Sequence, residues 1–214
     1  MYSIGVKSLP LTSTVGFSVG LVFAMQTVGT LKTYGAVNQL ATLVGKAILR
    51  ELGPVLTALM VASRAGSGIS AELGSMKVTR QIDALEVSAI NPFKYLVMTR
   101  VAACVLVVPM LAVIADVLGV LGGWIIGVTD AGLGAGFYWS TTLHYITLAD
   151  VYPGLLKTVF FGFLIGIISS FHGFNARGGT EGVGEATTTT VVVCCLSIML
   201  SDVLLTKIFI RLFG

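Results

Sequence analysis

The chain has 214 residues, of which 55% are hydrophobic and only 11% charged. A soluble domain carries about a quarter charged residues, so a water-soluble globular protein is excluded. With 26 Gly, 5 Pro and long runs of Val, Leu, Ile and Ala, the chain is neither disordered nor low in complexity, and its net charge of +3 is too small to point to nucleic acid. What remains is an integral membrane protein, a single domain over 1–214. Each crossing takes roughly 20 apolar residues, which leaves little length for anything outside the bilayer.

In chain order, the apolar stretches predict an all-α bundle of about five membrane segments, at roughly 10–30, 37–63, 101–127, 153–171 and 187–210. The first holds Ser13, Thr14, Gly16, Ser18, Gly20, Gln26 and Thr27, a composition that suits a re-entrant or interior segment as well as a full crossing. The second carries Lys46, Arg50 and Glu51, followed at once by Leu52-Gly53-Pro54. A charge at a helix centre costs on the order of 2.5–3.5 kcal/mol on the insertion scale, so these side chains are expected to face a cavity or a partner charge. Adjacent residues cannot face each other on one helix. The partners of Arg50 and Glu51 must therefore come from elsewhere, with Asp116, Lys157 and Asp202 as the intramembrane candidates. Pro54 removes a backbone hydrogen bond near residue 50 and is expected to bend the helix there, forming one wall of a substrate cavity with Arg50, Glu51, Lys157 and Asp202.

The connection from Arg64 to Arg100 holds five basic residues and the 128–151 connection none, which places the first in the cytoplasm and the second outside by the positive-inside rule. Within the first, 64–93 is amphipathic and helix-friendly, with Asn91-Pro92 as a stop signal; such an exposed helix suits docking of a soluble partner. The outer connection over 132–152 is rich in aromatics (Phe137, Tyr138, Trp139, Tyr145, Tyr152) and predicts a short interfacial helix. Small residues recur every fourth position: Gly16, Gly20, Ala24; Ala58, Ala62, Gly66, Ser70, Gly74; Gly119, Gly123, Gly127; Gly162, Gly166, Ser170. They predict close helix packing, read here as including the contact between two copies of the chain.

Catalytic and metal motifs are missing. There is no phosphate-binding loop, so this chain is not expected to hydrolyse nucleotide. His144 and His172 fall in connections on opposite sides of the membrane and cannot share a metal. Cys104, Cys194 and Cys195 lie inside apolar runs as small core residues.

The run Leu49-Arg-Glu-Leu-Gly-Pro-Val-Leu-Thr-Ala-Leu59, then Arg64-Ala-Gly, Ala71-Glu-Leu-Gly-Ser-Met-Lys-Val-Thr79 and Gln81-Ile-Asp-Ala-Leu85, resembles the MlaE/YrbE family of ABC-transporter permeases associated with Mce proteins. Asn91-Pro92, Tyr95-Leu-Val97, Arg100, Gly182-Val-Gly184 and Ala186-Thr-Thr188 add to the match, which covers nearly the whole chain. The resemblance implies a homodimeric, non-catalytic permease of the bacterial inner membrane that moves phospholipids or related lipids between that membrane and the cell envelope. Cytoplasmic ATPase subunits would carry the ATP and Mg, with no cofactor on this chain, and a periplasmic Mce-domain protein would bind the lipid.

By the same resemblance, the 64–93 connection contains the helix that couples to the ATPase, through Glu72, Met76, Thr79, Arg80, Gln81, Asp83, Leu85 and Glu86. Arg50, Glu51, Lys157 and Asp202 match charged positions in relatives. Departures are Arg80, where family members often have Glu, and Glu185 and Thr190, where basic residues are common. Relatives also tend to carry a further N-terminal interfacial helix, which is expected here to be absent, truncated or replaced. The competing reading from the buried charges alone is an ion-coupled secondary transporter, against which the absence of an evident inverted repeat counts.

Overall fold

The computed structural model describes residues 2–89 and 91–213. Among these residues every regular element is a helix and no strand occurs. A short α1 (Tyr2–Gly5) precedes α2 (Leu9–Thr33). Residues 40–78 then form one helical rod, α3, in which Leu40–Ala47, Gly53–Val61 and Ser67–Val78 are joined by wide π turns at Ile48–Leu52 and Ala62–Gly66. It is followed by α4 (Gln81–Val87), α5 (Phe93–Thr129), α6 (Ala135–Tyr145), α7 (Leu148–Phe174) and α8 (Gly179–Phe213).

Four of these helices, α2, α5, α7 and α8, are long and apolar enough to cross a membrane. The protein is an all-α integral membrane protein. At 1.5 Å per residue, α2 is about 37 Å long, more than the ~30 Å hydrocarbon core. It is unbroken, so the first segment has the length of a full crossing rather than of a re-entrant loop. α3 runs the same course between the two ends of the bundle, although π turns and charges interrupt it. One end carries the connections at 34–39, 130–134 and 146–147; the opposite end carries those at 79–92 and 175–178.

Three boundaries differ from the sequence reading. The second segment does not stop at residue 63: α3 continues to Val78, so half of the expected 64–93 connection belongs to the rod. Gly66 and Gly74 do not break it, because each lies where a neighbour packs closely. A side chain at Gly66 would meet Ser169 Oγ at 3.1 Å, and one at Gly74 would meet Val183 and Ala176 at 3.3 Å; tertiary packing outweighs helix propensity here. Second, Asn91-Pro92 opens α5 as well as ending the connection. Asn91 Oδ1 accepts a hydrogen bond from the Lys94 N–H at 3.3 Å, and Pro92 stands where its missing N–H is not needed. Third, α7 and α8 begin several residues before 153 and 187, because Thr147 caps α7 and because Gly179–Glu185, though not apolar, continues the helical backbone.

The aromatic connection forms the expected short helix, α6, and that helix is inserted rather than simply laid on the surface. Tyr138 is fully buried, in a slot where side chains at Gly123 or Gly127 would come within 2.8 Å of its ring or hydroxyl. Trp139 leans on Trp124 with ring centroids 6.5 Å apart.

The small-residue faces are used inside the chain, not between copies. α2 lies along α5 with Gly16 over Ala115 and Gly20 over Gly119, so closely that a Cβ at Gly20 would collide with the Gly119 carbonyl oxygen. Gly162 and Gly166 take the backbone of α5 at Cys104 and Val101, and Gly173 takes that of α3 at Ser70. These faces are thus occupied by contacts within one chain. The widest uncovered apolar surface belongs to α8, where Leu196, Leu200, Val203 and Leu204 are all at least 60% exposed.

Two glycines of α2 provide a test. Gly20→Leu places a side chain into fixed backbone and should cost well over the ~1–3 kcal/mol typical of overpacking, seen as loss of the monodisperse protein or a large drop in melting temperature in detergent. Gly29→Ala, where nothing lies within 4 Å, should melt at or slightly above the parent.

Candidate functional site

Pro54 sets the local geometry of the site. In a π turn the N–H of residue i+5 bonds the carbonyl of residue i, as the Gly53 N–H does to the Ile48 carbonyl. Pro54 has no N–H, so neither the Leu49 nor the Arg50 carbonyl can be satisfied by it. Both face α7, and one finds a substitute donor there. Gly154 packs directly onto the Leu49 oxygen, where any side chain would collide. Lys157 Nζ donates to the Arg50 carbonyl at 3.4 Å. The expected bend is thus taken up by a π turn braced against α7. Pro54 itself is buried in that contact, its Cγ 3.2 Å from where a Gly154 Cβ would sit, and it does not line the cavity as the sequence reading held.

Lys157, 1% exposed, is the centre of a polar cluster shared by three helices. Its ammonium lies 2.7 Å from Glu51 Oε2 on α3, 2.6 Å from Thr206 Oγ1 and 3.0 Å from Asp202 Oδ1, both on α8. The Asp202 contact is an ion pair without the alignment of a hydrogen bond. Thr206 also donates to Glu51 at 3.1 Å. One buried cation between two carboxylates and a hydroxyl keeps its charge satisfied, the condition for placing it within an apolar bundle.

Arg50 pairs with Asp150, which lies outside the three expected partners. Its Nε donates to Asp150 Oδ1 at 2.7 Å, its terminal nitrogen lies against the same oxygen, and Lys46 stands 4.0 Å from the other. Asp150 is held by a capping box: its Oδ2 accepts from the Thr147 N–H and hydroxyl, each at 2.9 Å. The signal was present in Thr147-Leu-Ala-Asp150, a Thr-x-x-acid pattern ahead of an apolar run. Asp116, expected among the partners, makes no ion pair among the described residues. Its Oδ1 is buried without a hydrogen-bond partner, pressed against Gly53.

Together these side chains line a cavity of about 340 Å³, bordered by Lys46, Arg50, Glu51 and Lys157 on the polar side and by Leu43, Pro153, Phe209 and Ile210 on the apolar side. Asp202 lies behind Lys157 and does not reach the cavity wall. The volume is at the low end for a small-molecule site, roughly 300–1,000 Å³. The lining joins a charged wall, in which Asp150 and Glu51 offset Arg50 and Lys157, to an apolar flank, an arrangement that suits an amphiphile.

At the far end of the bundle, the residues expected to couple to an ATPase divide into two groups. Glu72 is tied to Arg100 of α5 at 2.9 Å, and Met76 and Leu85 pack against the buried core; these three serve the bundle. Thr79, Arg80, Gln81, Asp83 and Glu86 are exposed around the tight turn from α3 into α4. Arg80 makes that turn with a left-handed backbone, φ 57°, uncommon for a residue with a Cβ. Thr79 is partly occupied in closing the end of α3, donating to the Ser75 carbonyl at 2.8 Å, and Asp83 pairs with Lys77 at 3.2 Å. Ile82, 1% exposed, pins α4 to the bundle.

Comparison with known proteins assigns the family. Residues 1–208 match the family model described as Permease MlaE. A probable ABC transporter permease protein of Rickettsia felis is 41% identical over 97% of this chain and 80% of its own length. The intermembrane phospholipid transport system permease protein MlaE of Haemophilus influenzae is 36% identical over the same shares. A probable ABC transporter permease of Synechocystis is 36% identical over 94% of this chain and 77% of its own. The chain belongs to the MlaE permease family and is a membrane permease subunit of an ABC transporter.

Proposed function

We propose that this permease moves phospholipid between the bacterial inner membrane and the cell envelope. The Lys157–Glu51–Asp202 cluster and the Arg50–Lys46 pair would form the polar floor of the lipid site. The observation that carries this reading is the 340 Å³ cavity with Lys46, Arg50, Glu51 and Lys157 on one wall and Leu43, Phe209 and Ile210 on the other; the name of the Haemophilus influenzae relative supports it. Phosphate is held by Lys46 and Arg50, while acyl chains, too large for this cavity alone, extend along the uncovered apolar side of α8. A second copy of the chain packed on α8 would close that side, since Thr206, Phe209 and Ile210 already form its wall. Membership of an ABC permease family sets aside the ion-coupled carrier.

The five-to-none contrast of basic residues orients the 79–92 end towards the cytoplasm. There the turn around Arg80, with Gln81, Asp83 and Glu86, docks ATPase subunits that carry ATP and Mg; the opposite end meets a periplasmic Mce-domain protein. Motion at the turn reaches the cavity along α3, whose two π turns are the flexible points of the rod.

Three results test this. Arg50→Ala or Glu51→Ala in the reconstituted complex should lower lipid transfer at least about tenfold with assembly retained; unchanged transfer removes them from the lipid site. Lys157→Met alone leaves two carboxylates facing each other and should cost about 3–5 kcal/mol of stability. Combining it with Glu51→Gln and Asp202→Asn should restore the melting temperature but not transfer, whereas full transfer in that triple variant would reduce the cluster to a structural role. Reversing Asp83 and Glu86 to Lys should reduce co-purification of the ATPase subunit, and normal recovery with full lipid-stimulated hydrolysis would remove α4 from the docking surface.

A further inference from the structure

A second cavity, of about 390 Å³, opens at the other end of the bundle between α1, α3 and α5. Its charged lining is Lys7, Arg64 and Arg100 against a single carboxylate, Glu72. Two of the three cations are held in place. Arg64 donates to Ser8 Oγ at 3.0 Å. Arg100, 13% exposed, donates to the Leu96 carbonyl at 3.0 Å and reaches Glu72 at 2.9 Å. Pinned guanidinium groups lose little freedom when an oxyanion arrives, and their planar forks match phosphate. Lys7, exposed on the turn after α1, adds a third cation to the lining. Gly68 keeps the wall bare: a Cβ built there meets nothing within 4 Å. The floor is apolar, formed by Ile4, Ile69 and Ala103.

Basic cavities between membrane helices at the cytoplasmic boundary are places where anionic lipid head groups bind. We propose that this cavity binds the phosphate group of an anionic phospholipid of the inner leaflet. It would be a lipid site separate from the Lys157 cluster and at the opposite end of α3. The leaflet follows from the orientation given under the proposed function; the phosphate chemistry does not depend on it. Because the cavity joins α1, α3 and α5, an occupant would brace the N-terminal turn against the rod that carries the docking turn.

The test uses the purified complex passed through vesicles of phosphatidylcholine containing a minor fraction of phosphatidylglycerol, with retained lipid identified by native mass spectrometry. The parent should retain phosphatidylglycerol in excess of its share in the vesicles. Lys7→Gln and Arg64→Gln should each lower that excess about fivefold per basic residue removed. Gly68→Leu, which fills the cavity without removing a charge, should lower it as much. Retention in the Gly68→Leu variant equal to the parent's overturns the proposal, as does loss of the excess in Arg50→Ala alone, which would assign the lipid to the other site. Displacement of the retained lipid by inorganic phosphate at constant ionic strength would assign the cavity to a soluble phosphate and overturn the lipid assignment. Failure of lipid transfer in the Arg50 or Glu51 variants is read in a separate assay and leaves this result untouched.

Discussion

The buried ammonium of Lys157 is the interaction around which the bundle is arranged. An amine placed among apolar helices is tolerated only when its charge and donors are met, and here four groups on two other helices meet them: Glu51, Asp202, Thr206 and the Arg50 carbonyl. That carbonyl is available because Pro54 cannot donate to it. Proline, π turn and lysine are therefore one device. The proline frees backbone oxygens, the π turn turns them towards α7, Lys157 donates to the one on Arg50, and Gly154 leaves room for the one on Leu49. Removing Lys157 leaves the Arg50 carbonyl and two carboxylates without their shared donor.

The same arrangement fixes the cavity. With Lys157 drawn towards Glu51 and Asp202, the side of α3 that faces outward presents Lys46 and Arg50, both kept in register by Asp150 at the capped start of α7. Three helices thus contribute polar groups to one wall, while α8 adds the apolar flank. The helices that build this wall are positioned by glycine contacts elsewhere in the bundle, chiefly Gly16 and Gly20 of α2 on α5 and Gly162 and Gly166 of α7 on α5. Since lipid offers no hydrophobic drive for helix association, close backbone approach at these positions supplies the packing that the charges alone could not.

The two ends of α3 differ in chemistry, and the rod connects them. At one end it carries the cavity with one charged and one apolar wall. At the other it ends in the left-handed Arg80 turn and is clamped to α5 by Glu72 and Arg100. A helix with two π turns between such sites can shift one turn's hydrogen bonds without losing its backbone pairing as a whole.

Composition and hydropathy alone determined that this is a membrane protein of about five apolar segments, and the stretch from Leu49 to Leu85 was enough to show its family. The pairing of Glu51 with Lys157, and of Lys157 with Asp202, was foreseeable, because few charges lie within the apolar segments and each must find a partner. Tertiary structure decided the rest. It gave Arg50 to Asp150: the cap that holds Asp150 is local and legible in Thr147-Leu-Ala-Asp150, but which cation meets it is set by helices that pack across the bundle. Among the described residues it left Asp116 without an ion pair, and it turned the small-residue stripes inward, because a period of four marks a face that can approach another helix and does not say which. It carried α3 through Gly66 and Gly74 to Val78, because contacts with α7 and α8 outweighed the weak helix propensity of glycine. The sequence holds the chemistry of the charges; only their arrangement in space tells which charge neutralises which and which remain to face a ligand.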